Sequence, residues 1–291
     1  MISSPETAEK RDRKVAIGEF DGVHLGHVAV VGDADTVLTF EPHPRAVVGP
    51  TGAPDLLTTL DQKADLIQAL GVRELVVAHF DESFSQLEAS EFVDKIIVEA
   101  LSATDVRVGS NFRYGRGAKG TSETLTADSR FTTSVADLVE LDGNAVSSSA
   151  IRDLIRSGEM PQAEAMLGHP FEMRGVVIHG AQMGRELGCP TANVVPAPGC
   201  VVPAFGVYAA LANGLPAAAS LGIRPSIDDD DRVLLETHLL GWEGDLYGTE
   251  IKVELLERLR PELKFDSLDE LKTAMARDCE NAAKIAAAHA R

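Results

Sequence analysis

The sequence predicts an α/β domain built on a parallel sheet, followed by a small antiparallel β-barrel with a terminal helix. Three observations lead there. In the first half, short Val-rich runs alternate with amphipathic helical segments, the pattern of strands joined by helical crossovers. In the second half, strand-like runs follow one another across Gly, Pro and Asp turns without helices between them. The 291 residues also leave room for two domains at roughly 100–200 residues each.

The elements follow in order. Lys14–Gly18, Thr36–Phe40, Glu74–Phe80 and Asp105–Gly109 are apolar runs bounded by turn residues, as buried parallel strands are. Between them, Leu60, Ala64, Ile67 and Leu70 share one helical face. Phe92, Ile96, Ile97 and Leu101 share another within 89–101. Segments 147–158 and 161–168 read as two short helices, capped by Ser147–Ser149 and stopped by Gly158 and Gly168. Segments 171–179, 206–212, 217–223, 233–240 and 250–259 read as strands, and 268–288 as a closing helix capped by Asp266-Ser267. These assignments predict domains at 14–169 and 170–291. Residues 1–14 are polar and read as a short disordered lead, not a signal peptide.

Composition narrows the function. With 27 basic against 45 acidic residues the net charge is −18, which argues against a nucleic-acid binder. No apolar run approaches the ~18–20 residues that span a bilayer, so no membrane partner is expected. Cys189, Cys200 and Cys279 are few, odd in number and widely spaced, which suits a reducing cytoplasm.

Two constellations carry chemistry. The first follows the first strand, from Gly18 through Glu19, Phe20, Asp21, Gly22 and Val23 to His24-Leu25-Gly26-His27. A glycine-bearing turn leading from a parallel strand into a helix suits phosphate, and two imidazoles can donate to phosphate oxygens. Two surface histidines on an ordinary loop would read the same way. The second runs Gly184-Arg185-Glu186-Leu187-Gly188-Cys189-Pro190-Thr191-Ala192-Asn193. In an extended segment Thr191 and Asn193 point the same way. A hydroxyl and an amide oxygen suit Mg²⁺, which keeps waters and substrate phosphates, though a plain polar turn has the same composition. Gly115–Gly120 fits GxGxxG but neither follows directly on a predicted strand nor opens a clear helix, so it reads as a basic loop.

His24-Leu25-Gly26-His27 resembles the HxGH signature of nucleotidyltransferases, which makes the first domain nucleotidyltransferase-like and its sheet Rossmann-like. The longer string from Gly18 to His27, followed by Thr39-Phe40-Glu41-Pro42-His43-Pro44, resembles the bacterial bifunctional riboflavin kinase/FAD synthetase family. The match continues through Val108–Gly115, Val146–Arg152, Gly184–Asn193, Gly222–Pro225, Glu236–Leu240 and Phe265–Leu268. The resemblance implies riboflavin and ATP giving FMN, then FMN and ATP giving FAD, with Mg²⁺ as cofactor. It implies catalytic roles for Glu236, His24 and His27. It places ATP on Gly18, Phe20, Asp21, Gly22, Gly26, Ser148, Ser149 and Arg152 in one half. In the other half it places ATP on Gly184, Arg185, Gly188, Pro190, Thr191 and Asn193, with Thr191 and Asn193 on the metal. Flavin falls to Asn111, Arg113 and Arg224. Only small-molecule partners are implied, and the oligomeric state is left open.

The string departs from the family in a few places. Only eleven residues separate His27 from Thr39, so the helix carrying the HxGH residues is expected to be a stub. Glu19 stands where the family usually has Asn, and a carboxylate beside phosphates either costs electrostatic energy or recruits Mg²⁺. Ser149, Cys189, Ser220 and Ile223 are further exchanges. Two alternatives therefore stand beside the bifunctional enzyme: a riboflavin kinase with a weakened or inactive adenylyltransferase domain, and a non-catalytic flavin- or nucleotide-binding protein.

Overall fold

The structure is a computed structural model that describes residues 2–178, 191–224 and 232–289, with Arg224 described by its backbone alone. The chain divides into two compact units, Met1–Ser148 and Ser149–Arg291.

The first unit is a six-stranded, all-parallel sheet. Its strands are β1 (Ile2–Ser3), β2 (Arg13–Ile17), β3 (Thr36–Glu41), β4 (Glu74–His79), β5 (Ala103–Gly109) and, after the two-stranded hairpin β6 (Arg113–Tyr114) and β7 (Gly120–Thr121), β8 (Thr132–Ala136). The sheet order is β1-β4-β3-β2-β5-β8. Adjacent residues of one strand face opposite layers. Val15 and Ile17 join a core with Leu38, Val76, Phe92 and Ile97, whereas Ala16 joins Val37, Ile67, Leu75 and Phe20 on the other side. Burial on both faces is why these strands read as near-continuous apolar runs.

The helices are α1 (Leu25–Val31), α2 (Pro44–Val48), α3 (Leu60–Ala69), α4 (Glu82–Ser85), α5 (Ala89–Phe92, running on as a π-helical segment to Ala100) and α6 (Ser122–Thr126). A reciprocal Thr59/Gln62 capping box starts α3. Ile67 is buried as its stripe predicts, but Leu70 is exposed because it caps the helix end beyond the sheet. The stub expected after HxGH is observed as the seven residues of α1, ending at Gly32.

Two expectations change. The lead is not disordered: β1 pairs with β4, and Ser3 Oγ donates to Glu74 Oε1 at 2.8 Å. Arg11 and the fully buried Arg13 close on Glu74 at 3.1 and 3.0 Å, so a polar segment is ordered by charge pairing that apolar patterning does not reveal. The GxGxxG segment does follow a strand and does open a helix. The strand is two residues of a hairpin, and the helix is one turn closed by a Thr121 cap. A hairpin of that kind is still not a dinucleotide-binding crossover.

The second unit begins at the second residue of α7 (Ser148–Ser157) and goes on to α8 (Met160–Leu167); the two helices stop at Gly158 and Gly168, both in the left-handed region (φ 85° and 83°). It continues with β11 (Phe171–Ile178), β12 (Ala192–Val194), β13 (Gly206–Ala212), β14 (Leu215–Arg224), β15 (Arg232–Leu239) and β16 (Glu250–Arg260), after the short hairpin β9 (Glu140–Leu141) and β10 (Asn144–Ala145) of the first unit. These six strands close a barrel in the order β11-β12-β15-β14-β13-β16, every pair antiparallel. The terminal helix α9 (Leu268–His289) packs on β13, β14 and β16. Because α8 packs on β11 and β16, the helix pair groups with the barrel, ahead of the 169/170 division expected from the sequence.

Candidate active sites

In the first unit β2 lies between β3 and β5, and the chain leaves β2 in one direction and returns beside it in the other. The crevice beyond the carboxyl ends of such strands is where open α/β sheets place ligands. The segment Gly18–His27 occupies it. Phe20, Gly22 and Val23 all have positive φ (51°, 84° and 42°), a strained run that has to be held from outside. Asp21 does the holding. Its Oδ1 accepts from Leu57 N at 2.8 Å and Thr58 N at 3.2 Å, while Gly22 N donates to Thr58 Oγ1 at 3.1 Å. Ser148 Oγ adds a bond to Asp21 O at 3.0 Å. Phe20 is buried in the core, so of the expected nucleotide residues Phe20 and Asp21 have side chains occupied in building the loop.

His24 caps α1, its Nδ1 accepting from His27 N at 3.3 Å. That bond fixes a neutral His24 as the Nε2–H tautomer. The two rings stack with centroids 3.6 Å apart and planes at 16°. Gly26 permits this, since a Cβ there would stand 3.0 Å from His24 Cε1. Burial first, then the neighbouring His24 and Lys63, hold His27 well below the usual histidine range, so it is neutral near pH 7. Its Nδ1 is buried without a partner among the described residues.

Lys63 lies beside the site, although it was not among the candidate site residues read from the sequence. It is buried on α3, and its Nζ donates to Thr39 Oγ1 at 3.4 Å. The signal was available: a lysine on the inward stripe of α3 beside Ile67. Asn111 and Arg113 lie exposed beyond the carboxyl end of β5. Ser149 and Arg152 lie on α7 in the second unit, with Arg152 buried.

In the barrel, Asn193 on β12 stands opposite Glu236 on β15, which stands opposite Ser220 on β14. Cross-strand partners share a face, so this row brings an amide, a carboxylate and a hydroxyl together. Thr191 and Asn193 line one cleft of about 360 Å³ with Leu239, Trp242, Asp245 and Tyr247. Glu236 is half-buried and is not among the described residues lining that cleft. Asn193 Oδ1 is buried with no hydrogen-bond partner among the described residues. A buried amide oxygen without a donor, beside a hydroxyl, fits a hard cation. Gly184, Arg185, Gly188 and Pro190 lie outside the described residues, as does the side chain of Arg224.

Comparison with known proteins assigns a family model to each half of the chain. The FAD synthetase family model matches residues 6–150, and the riboflavin kinase family model matches residues 167–286. A Pseudomonas fluorescens protein named bifunctional riboflavin kinase/FMN adenylyltransferase is 36% identical, covering 96% of this chain and 94% of its own. The chain belongs to the bifunctional riboflavin kinase/FMN adenylyltransferase family. An Escherichia coli K12 protein of the same name is 38% identical over 91% of this chain and 90% of its own. A crystal structure from Streptococcus pneumoniae, described as a macrolide-efflux protein, superposes with a TM-score of 0.85 at 28% identity, covering 96% of this chain and 97% of that one. No helix among the described residues is long and apolar enough to cross a membrane. Within the family frame, the His24–His27 pair belongs to the adenylyltransferase half and the Asn193–Glu236 row to the kinase half.

Proposed function

We propose that the chain phosphorylates riboflavin to FMN in its barrel and joins FMN to the AMP part of ATP in its parallel-sheet unit, with Mg²⁺ serving the ATP. The observation that carries this is that each unit assembles its own motif residues: a stacked His24–His27 pair in one, Asn193 facing Glu236 in the other.

In the barrel, Glu236 orients the riboflavin 5′-hydroxyl and takes its proton as the oxygen attacks the γ-phosphorus, with ADP leaving. Thr191 and Asn193 hold Mg²⁺ through their side-chain oxygens. The ion supplies charge neutralisation on the phosphates. Trp242 and Tyr247 wall the cleft that Thr191 and Asn193 line.

In the sheet unit the nucleophile is the FMN phosphate, already an anion, so no general base is required. The residues need only position the partners and offset charge as the bond to diphosphate breaks. His24 and neutral His27 do this as hydrogen-bond donors, and buried Lys63 supplies the positive charge. Gly18, Gly22 and Gly26 keep the backbone open to ATP, with Ser148 on its phosphates. Asn111 and Arg113 meet the flavin nucleotide in this half, and Arg224 meets riboflavin in the other. We read the chain as a cytoplasmic enzyme of small-molecule partners.

The test is direct. Purified protein is incubated with riboflavin, ATP and Mg²⁺, and the flavins are separated by chromatography. FAD accumulation supports the proposal. FMN alone supports a kinase whose adenylyltransferase half is inactive, and unchanged riboflavin leaves only a binding protein.

A further inference from the structure

The loop that leaves β2 carries a side chain that the proposed mechanism does not use. Glu19 is half-buried at the start of the crevice, its own carbonyl accepting from Thr39 Oγ1 at 3.0 Å. One carboxyl oxygen, Oε2, lies 4.0 Å from His43 Nε2. The other, Oε1, is buried and has no hydrogen-bond partner among the described residues. The charged groups that bear on this carboxyl come from three directions. Asp21 lies two residues along the same loop, Glu41 ends β3 with His43 two residues beyond it, and Lys63 faces it from α3. Lys63 also acts on His27, which puts Glu19 in the same site as the histidine pair. Two further carboxyl groups thus bear on Glu19 against one buried ammonium, whose Nζ donates to Thr39.

An ionised Glu19 in that position would have an unpartnered oxygen in a desolvated pocket that must also accept a polyphosphate. Both the burial and the incoming charge oppose it. Recruiting a cation is the other way to make the site tolerable. Mg²⁺ needs only one or two carboxylates together with substrate phosphates, but it arrives with the nucleotide and does not relieve the buried, unpartnered Oε1 before ATP binds. A neutral carboxylic acid answers both demands. It removes one negative charge, and its O–H becomes a donor where the pocket has an excess of acceptors. Burial pushes Glu19 up to about 8, with Lys63 opposing and Asp21 and Glu41 reinforcing, which agrees with the geometric argument.

We propose that Glu19 works as a neutral acid that donates a hydrogen bond to a phosphate oxygen of ATP in the adenylyltransferase site, so that its ionisation weakens nucleotide binding and makes FAD synthesis alkali-sensitive. This rests on the adenylyltransferase reading above. No bond is made or broken at Glu19 and its proton stays on the carboxyl group. The residue is therefore a binding and positioning group.

The experiment supplies FMN, ATP and saturating Mg²⁺ to the whole chain without riboflavin, and follows FAD formation at pH 7 and pH 9. If only the neutral acid binds ATP, the competent fraction falls about tenfold over that interval, and KM for ATP rises by about the same factor while kcat changes much less. Glu19→Gln keeps the shape and a donor but cannot ionise, so its KM for ATP should be nearly independent of pH. Infrared difference spectra give a readout that does not depend on turnover. The wild type minus Glu19→Gln difference should show a protonated-carboxyl C=O band at pH 7 that is lost by pH 9. A wild-type KM that stays flat, a Glu19→Gln KM that rises as steeply as the wild type, or the absence of that band would each overturn the proposal. A chain that forms no FAD at any pH would refute the adenylyltransferase reading, and this proposal with it. FAD formation with a flat KM would refute the proposal alone.

Discussion

Replacing Asp21 by Ala tests whether the strained loop is held from outside, as the hydrogen bonds indicate. The substitution strips Leu57 N and Thr58 N of their acceptor at 2.8 and 3.2 Å, and both bonds are buried. A buried donor left without a partner costs about 1–3 kcal/mol, so two of them predict a loss of roughly 4 kcal/mol from the first unit. For a unit of this size that corresponds to a melting shift of about 10–15 °C. Asp21→Asn retains an acceptor oxygen and should lose only about 1 kcal/mol. The chain supplies its own probes. Its single tryptophan, Trp242, is in the barrel, so its fluorescence follows that unit, whereas heat inactivation of FAD formation follows the first. The Asp21→Ala shift should appear in the inactivation midpoint and leave the Trp242 transition in place. A shift below about 3 °C, or equal movement of both transitions, would refute the clamp.

Further outcomes are expected. Glu236→Gln should lower FMN formation at least about a hundredfold and spare conversion of FMN to FAD. His27→Ala should do the reverse, and equal loss of both activities in both variants would contradict the two-site assignment. Gly26→Ala places a Cβ 3.0 Å from the His24 ring and should reduce FAD formation selectively, read as kcat against wild type. Asn193→Ala should raise the Mg²⁺ concentration needed for half-maximal FMN formation, because it removes the buried Oδ1. Stability should also follow pH through Glu19. Its folded-state value is raised, so the stability it contributes is complete below about pH 4.5 and is lost as pH rises towards 8. The first transition should therefore fall between about pH 5 and 8.5, and Glu19→Gln should flatten that fall.

The central strands were legible because burial on both faces of a parallel sheet, and alternation around a small barrel, leave strong apolar signatures. Lys14–Gly18 and Gly206–Ala212 differ from the observed β2 and β13 by a residue or less. The elements that were missed are those held by polar contacts. β1 is two residues tied to Glu74, and β8 is a Thr-rich edge with exposed Val135. β12 is only three residues long, too short to show a strand period. At the sites, His24, His27, Thr191 and Asn193 stood out as residue types with a spacing. Lys63 and the clamping role of Asp21 did not, since each depends on a partner more than twenty residues away. Leu70 had the right period and the wrong position, past the end of the surface that α3 covers.

The barrel's shortest stave has an implication of its own. β12 contributes three residues, where each other stave has at least seven, and it carries the amide that faces Glu236. Its ladder pairs only two residues with β11 and three with β15, against six along the β13–β16 seam, so although its residues are buried it has the fewest strand-to-strand pairs to break before it opens. Amide hydrogens of Ala192–Val194 should then exchange with solvent well ahead of those in β13, which would let nucleotide enter and leave without the rest of the cylinder loosening.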